Sequence, residues 1–156
     1  MTVSICTLAH GRSAHLANLV TGLSQSDVLP DELVIAVMQD DAYDLPAAPF
    51  PVRQRILGSG AIPLARARNT AAREAHGELL IFLDVDCIPH PSCVADYIEA
   101  SRSQGGVFMG EVGYLPKGAT DAGVDFALFE RTAVRHSERP GPPAKGLRAC
   151  EDYRCF

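Results

Sequence analysis

Short runs of β-branched and apolar residues recur along the first half of the chain, with helical or loop segments between them, and this alternation limits the fold more than any other feature. TVSICTL (2–8), DELVIAVM (31–38), PVRQRIL (51–57) and ELLIFLD (78–84) each read as a strand. The first is followed by a turn at His10 to Ser13 and a helix to about Leu23, with Leu16, Leu19, Val20 and Leu23 on one face. The second ends in QDDAYD, and a Pro/Ala loop at 45–51 leads to the third. After the loop GSGAIP, Pro63 fits the first turn of a second helix. Leu64, Ala67, Ala71, Ala72 and Ala75 give that helix a narrow face able to lie close to a sheet, and Gly77 is expected to stop it. Pro91 starts a third helix through about Arg102, GGVFMGEVGYL (105–115) reads as a strand, and a further helix is expected near 121–136, before a loop at 139–146.

Strands alternating with helices predict an α/β fold: a mostly parallel sheet with helices on both faces, whose ligand lies beyond the carboxyl ends of the strands. The acids at 40, 41, 84 and 86 fall at that edge, with Thr7 and the start of the helix at 63. GSGAIP is not a dinucleotide fingerprint, because Pro63 replaces the third glycine and the loop follows the third strand. LAHGR (8–12) echoes EAHGE (74–78), but one leaves a strand and the other ends a helix, so no repeat is inferred.

A chain of 156 residues with 47% hydrophobic content has the size and composition of one globular domain. Its net charge of −5 argues against a nucleic-acid partner, and an anionic ligand would need local arginines or a metal. The opening MTVSICTLAHGR lacks a basic region before its apolar stretch, and no run approaches the ~18 apolar residues of a membrane span, so a cytoplasmic chain is expected. Cys6, Cys87, Cys93, Cys150 and Cys155 are odd in number and contain no CxxC, which favours reduced thiols. Cys87, His90 and Cys93 are poor zinc ligands, with Pro89 and Pro91 between them and no second pair at suitable spacing.

The acids in LLIFLDVDCIPHP carry the chemistry. A single Asp after a buried strand caps the next turn. In an extended stretch, Asp84 and Asp86 would project to one side, where two carboxylates repel unless a cation bridges them. Hard oxygen ligands with spare coordination positions suit Mg2+ or Mn2+ carrying a diphosphate.

VSICTLAHGR, DELVIAV followed by acids, ARARNTAAREAHGELLIFLDVDCIPHP and GGVFMGEV together resemble the donor-binding half of family 2 glycosyltransferases. The specific part is Arg68-Asn69, an Ala-rich helix, Ala75-His76-Gly77-Glu78 and a DXD motif as Asp84-Val85-Asp86. The resemblance implies a GT-A, Rossmann-like fold, with residues 1–138 as the donor domain and 139–156 as a loop and truncated C-terminal segment. It implies a nucleotide-diphosphate sugar, most often a UDP-sugar, and inverting transfer to a glycan or lipid acceptor, in the cytoplasm or peripheral at the membrane. By the same resemblance Thr7 touches the nucleoside, Asp40 reads the base with Asp41 beside it, and Arg68 approaches the diphosphate. Asp84 lies near ribose and metal, and Asp86 binds the metal, Mn2+ or Mg2+.

The chain departs from the family where Ala9 replaces a common Tyr and His10 a common Asn, which bears on base recognition. His10 reads as a loop histidine, and Arg66 and Arg73 as solvated. No acceptor-half pattern is visible, so the catalytic base is expected beyond Phe156, and Glu151-Asp152 reads as a solvated terminus. The chain alone is then expected to bind donor with little turnover, or to be a nonenzymatic donor-binding fragment. A haloacid-dehalogenase-type phosphatase also uses DxD, but Ile88 stands where a Thr or Val is wanted, and too little chain follows.

Overall fold

The computed structural model describes residues 1–58 and 63–135, and the backbone of 150–155. Part of the GSGAIP loop, the 139–146 loop and the side chains of Glu151 and Asp152 lie outside the described residues.

Four parallel strands form the main sheet: β1 (Val3–Ala9), β2 (Glu32–Met38), β3 (Val52–Leu57) and β4 (Leu79–Phe82), in the order β3-β2-β1-β4. All seven residues of β2 are buried, and six of seven in β1, as expected of central strands covered on both faces. The edge strand β3 is more exposed and carries Arg53 and Arg55, charges that discourage further pairing.

Helix α1 (Ser13–Ser24) covers one face with Leu16, Leu19, Val20 and Leu23, all fully buried with Ile5, Leu33 and Ile35. Burial of each such side chain stabilises the fold by about 1.5–3 kcal/mol. Val94 of α3 (Cys93–Ser103) joins the same core. Helix α2 (Leu64–Glu74) covers the other face with Ala67 and Ala71 against Cys6, Val34, Ala36 and Met38. Pro63 precedes this helix rather than opening it, and its carbonyl accepts from the Ala67 amide at 2.8 Å. Leu64, expected on the buried face, is 52% exposed, and the contact with the sheet is made by Ala67 and Ala71 instead.

Gly77 does not terminate α2, which ends three residues earlier. It sits where a Cβ would come within 2.5 Å of the Ser4 amide nitrogen, so glycine is required for close approach to β1. Its own amide donates to Ser4 Oγ at 2.8 Å. Ser4 donates to the buried Glu32 at 2.6 Å, and Glu32 also accepts from the His76 amide at 2.7 Å and from Arg53 Nη2 at 2.6 Å. The AHG segment is thereby tied to β1, β2 and β3, which fixes where β4 begins.

A smaller sheet, in the order β6-β5-β7, follows: β5 (Gly110–Tyr114) pairs antiparallel with β6 (Val134–Arg135) and parallel with β7 (Cys150–Cys155). The strand expected over 105–115 is confined to β5, since Val107 and Met109 are 91% and 87% exposed and have no face to bury. The helix expected near 121–136 is the shorter α4 (Phe126–Thr132), capped by Asp125, which accepts from the Leu128 amide. Phe129 of α4 is fully buried and clusters with Ile88.

Candidate functional site

Strand β4 stops at Phe82, and Val85-Asp86 forms a turn closed by the Cys87 amide donating to the Asp84 carbonyl at 2.9 Å. The pair Asp84 and Asp86 therefore spans a turn and not an extended stretch, which corrects the expected geometry. Between the two acids, Val85 is partly buried and packs against the α1-side core. Both carboxylates are nevertheless exposed and line one cleft of about 430 Å³.

His15 and Asn18 of α1 line the same cleft, as do Tyr114 of β5 and Thr120 in the turn after it. Sequence reasoning missed these. His15 and Asn18 stand three apart on the polar side of an otherwise apolar helix, a signal that was available. The β5 residues carried none, since their approach to Asp84 depends on the docking of the second sheet.

Asp84 also borders a small depression on the other side, with Thr7, Arg68, Phe82 and Leu83. Arg68 Nη2 lies 3.5 Å from Asp84 Oδ1, and both side chains are largely exposed. Such a pair is screened and contributes under about 1 kcal/mol, so it is free to exchange partners. Thr7 is 1% exposed, and its Oγ1 has no hydrogen-bond partner among the described residues. A buried hydroxyl left unmatched costs about 1–3 kcal/mol, which sets Thr7 apart from the apolar residues around it.

Asp40 follows β2 and lines neither depression. Its Oδ2 accepts from the Gly11 amide at 2.7 Å and from the Tyr43 hydroxyl, and His10 Nδ1 stands 3.4 Å away while donating to the Met38 carbonyl at 3.0 Å. The Tyr43 hydroxyl above all, and then the Gly11 amide, hold the Asp40 carboxyl below the usual carboxylate range. The five expected site residues thus share the carboxyl edge of the sheet. Thr7, Arg68, Asp84 and Asp86 form one continuous group joined through Asp84, and Asp40 stands apart, bound to the β1–α1 loop. Asp41, Arg66 and Arg73 are exposed.

Two carboxylates can offer a cation hard oxygen ligands. No group of three or more His, Cys, Asp or Glu side chains able to hold a metal occurs among the described residues, Cys87, His90 and Cys93 included. A cation at Asp84 and Asp86 would keep most of its positions for ligand oxygens and water, a donor set that fits Mg2+ or Mn2+.

Residues 4–118, well over half of the chain and including every residue discussed above at the carboxyl edge except Thr120, match glycosyl transferase family 2. The chain belongs to that family. No curated protein matches the sequence significantly. Among solved structures, S. aureus TarS 1-349 is similar with a TM-score of 0.52 at 14% identity, over 71% of this chain and 39% of that one. The same protein in complex with UDP gives 0.52 at 16% identity, over 66% of this chain and 32% of that one. In complex with UDP-GlcNAc it gives 0.50 at 17% identity, over 66% and 32%. At these identities the likeness establishes a shared fold, and the chain spans less than two-fifths of the length of those structures. Family 2 membership sets the phosphatase reading aside. Among the described residues no helix is long and apolar enough to cross a membrane.

Proposed function

We propose that residues 1–138 form the donor-binding part of a glycosyltransferase that takes a nucleotide-diphosphate sugar, a UDP-sugar first of all, and passes the sugar with inversion to a glycan or lipid acceptor. The observation that carries this reading is the shared position of Asp84: it joins the depression of Thr7 and Arg68 to the cleft of Asp86, His15 and Asn18. A ligand whose diphosphate meets Asp84, with its sugar in the cleft and its nucleoside lying over the shallow depression of about 10 Å³, follows that succession. TarS structures with UDP and with UDP-GlcNAc, on the same fold, support the choice of ligand class.

In this reading Thr7 forms the floor beneath the nucleoside, and Arg68 turns from Asp84 to the diphosphate. Asp84 and Asp86 hold a divalent cation, Mn2+ or Mg2+, which when bound neutralises charge on the departing diphosphate. Inversion requires an acceptor hydroxyl on the face opposite the leaving group and a base within reach of its proton. Asp84 and Asp86 are the only carboxylates lining the cleft among the described residues, and both are committed to the cation. Apart from His15, no other described side chain of the cleft wall is an ordinary general base; the reading takes the base from outside the described residues, and the 156-residue chain alone should then bind donor with at most slow hydrolysis. A donor-binding module without turnover is the same site without that base.

Titration calorimetry of UDP with Mn2+ and with chelator tests the reading. Binding should require the cation, and Asp86→Ala should abolish the dependence. Equal affinity with and without chelator in the unaltered chain would overturn it.

A further inference from the structure

The cleft that holds Asp84 and Asp86 is lined by no lysine or arginine among the described residues, and those two carboxylates are its acidic groups. Its other polar side chains are Asn18 and His15 on α1, Tyr114 on β5, and Thr120. Of these, only His15 can carry positive charge, and only when protonated. The Asn18 amide and the Thr120 hydroxyl both donate and accept, as the hydroxyls of a sugar do. Ile88, Val112 and Leu115 supply an apolar part of the wall.

The nearest cations lie outside this wall. Arg68 stands on the other side of Asp84, in the depression of Thr7, with its Nη2 3.5 Å from Asp84 Oδ1. Lys117 sits between the lining residues Pro116 and Gly118, but it is exposed and does not line the cleft. The same turn carries Asp121, whose amide donates to the Gly118 carbonyl at 3.1 Å and whose Oδ2 would lie 3.1 Å from a Cβ on Gly118. Lys117 and Asp121 together give that rim no net positive charge. A divalent cation at Asp84 and Asp86 offsets their charge, and the diphosphate it carries then brings further negative charge, against which Arg68 is a single cation. A carboxylate on the sugar would add charge of the same sign with no described partner, and a carboxylate taken out of water unpaired is costly.

We propose that the charge of this cleft makes the chain selective for a donor with an uncharged sugar, a neutral hexose in place of a uronic acid. The proposal rests on the reading above, in which the sugar enters the cleft beyond Asp84. Asp84 and Asp86 repel a sugar carboxylate, and Asn18 and Thr120 offer hydrogen bonds suited to hydroxyls but no charge to pair with one.

Calorimetry with Mn2+ compares UDP, UDP-glucose and UDP-glucuronic acid, whose sugars differ only in a hydroxymethyl against a carboxylate. UDP-glucuronic acid should bind roughly tenfold more weakly than UDP-glucose, the scale of one like-charge contact at partly screened range, and raising the salt should narrow the gap. His15→Lys and Thr120→Lys each place a cation on a different element of the wall. Either should raise the affinity for UDP-glucuronic acid relative to UDP-glucose by about the same factor, and two variants keep the test available should one misfold. Equal or tighter binding of UDP-glucuronic acid, where either sugar alters affinity relative to UDP, refutes the selection by charge and leaves the donor reading standing. A gap that neither salt nor a lysine in a folded variant moves also refutes it, because shape would then be the discriminator. If all three ligands bind alike in the unaltered chain and in both lysine variants, the sugar lies outside the cleft, and its proposed placement fails together with the selection.

Discussion

Glu32 should make the stability of the fold depend on pH below neutrality. It is 7% exposed, and burial pushes its pKa up, yet the Ser4 hydroxyl, the His76 amide and the Arg53 guanidinium together lower it from 4.5 to about 2. A tenfold change in proton affinity is worth about 1.4 kcal/mol, so the ionised carboxylate stabilises the folded chain by roughly 3 kcal/mol. The sign follows from the depressed value: the contribution is fully present above the unfolded pKa of 4.5 and is lost as pH falls toward about 2. Glu32→Gln keeps the shape of the side chain and removes the charge, leaving the Arg53 guanidinium without its carboxylate. It should cost roughly 3 kcal/mol at neutral pH, a large part of the ~5–15 kcal/mol of a typical domain. Urea unfolding at several pH values measures both quantities. Between about pH 5 and pH 3 the advantage of the unaltered chain over Glu32→Gln should shrink by roughly 2 kcal/mol. Parallel pH profiles for the two proteins would refute the argument, because they would mean that Glu32 has the same pKa folded and unfolded.

Gly77→Ala should destabilise the chain by about 1–3 kcal/mol or more, since the new methyl meets the Ser4 backbone at 2.5 Å; a midpoint in urea equal to that of the unaltered protein would contradict the close approach. Arg68→Ala should weaken UDP more than uridine, because only the former gives the guanidinium a diphosphate partner; calorimetry showing equal losses would remove Arg68 from that role. His15→Ala and Asn18→Ala should weaken a UDP-sugar more than UDP, since both residues line the cleft beyond Asp84; equal effects on the two ligands would place the sugar elsewhere.

The main sheet was legible because central parallel strands buried on both faces must be nearly continuous apolar runs, and β1 and β2 are. The α1 face was legible for a related reason: Leu16, Leu19, Val20 and Leu23 recur at helical spacing and all become buried. The pattern weakened where burial is partial. Over 105–109 the chain has strand-forming residues but no face to cover, so β-propensity alone predicted too long a strand, and tertiary contact with β6 and β7 set the real limits.

The site divides along the same line. Asp84 and Asp86 were legible as a pair because two acids close an apolar run, but neither the turn between them nor the exposure of that edge strand was, because both depend on how Val85 and β4 meet a core whose position the local sequence does not encode. Tyr43 and Gln54 left no local signal either: one lies in the acidic stretch after β2 and the other on an edge strand, eleven residues apart, and the parallel pairing of β2 with β3 brings them together. Residues that contact a ligand tend to sit in short, chemically distinctive strings. The partners of a side chain such as Asp40 are recruited from wherever the fold passes, so its contacts had to be read from the structure.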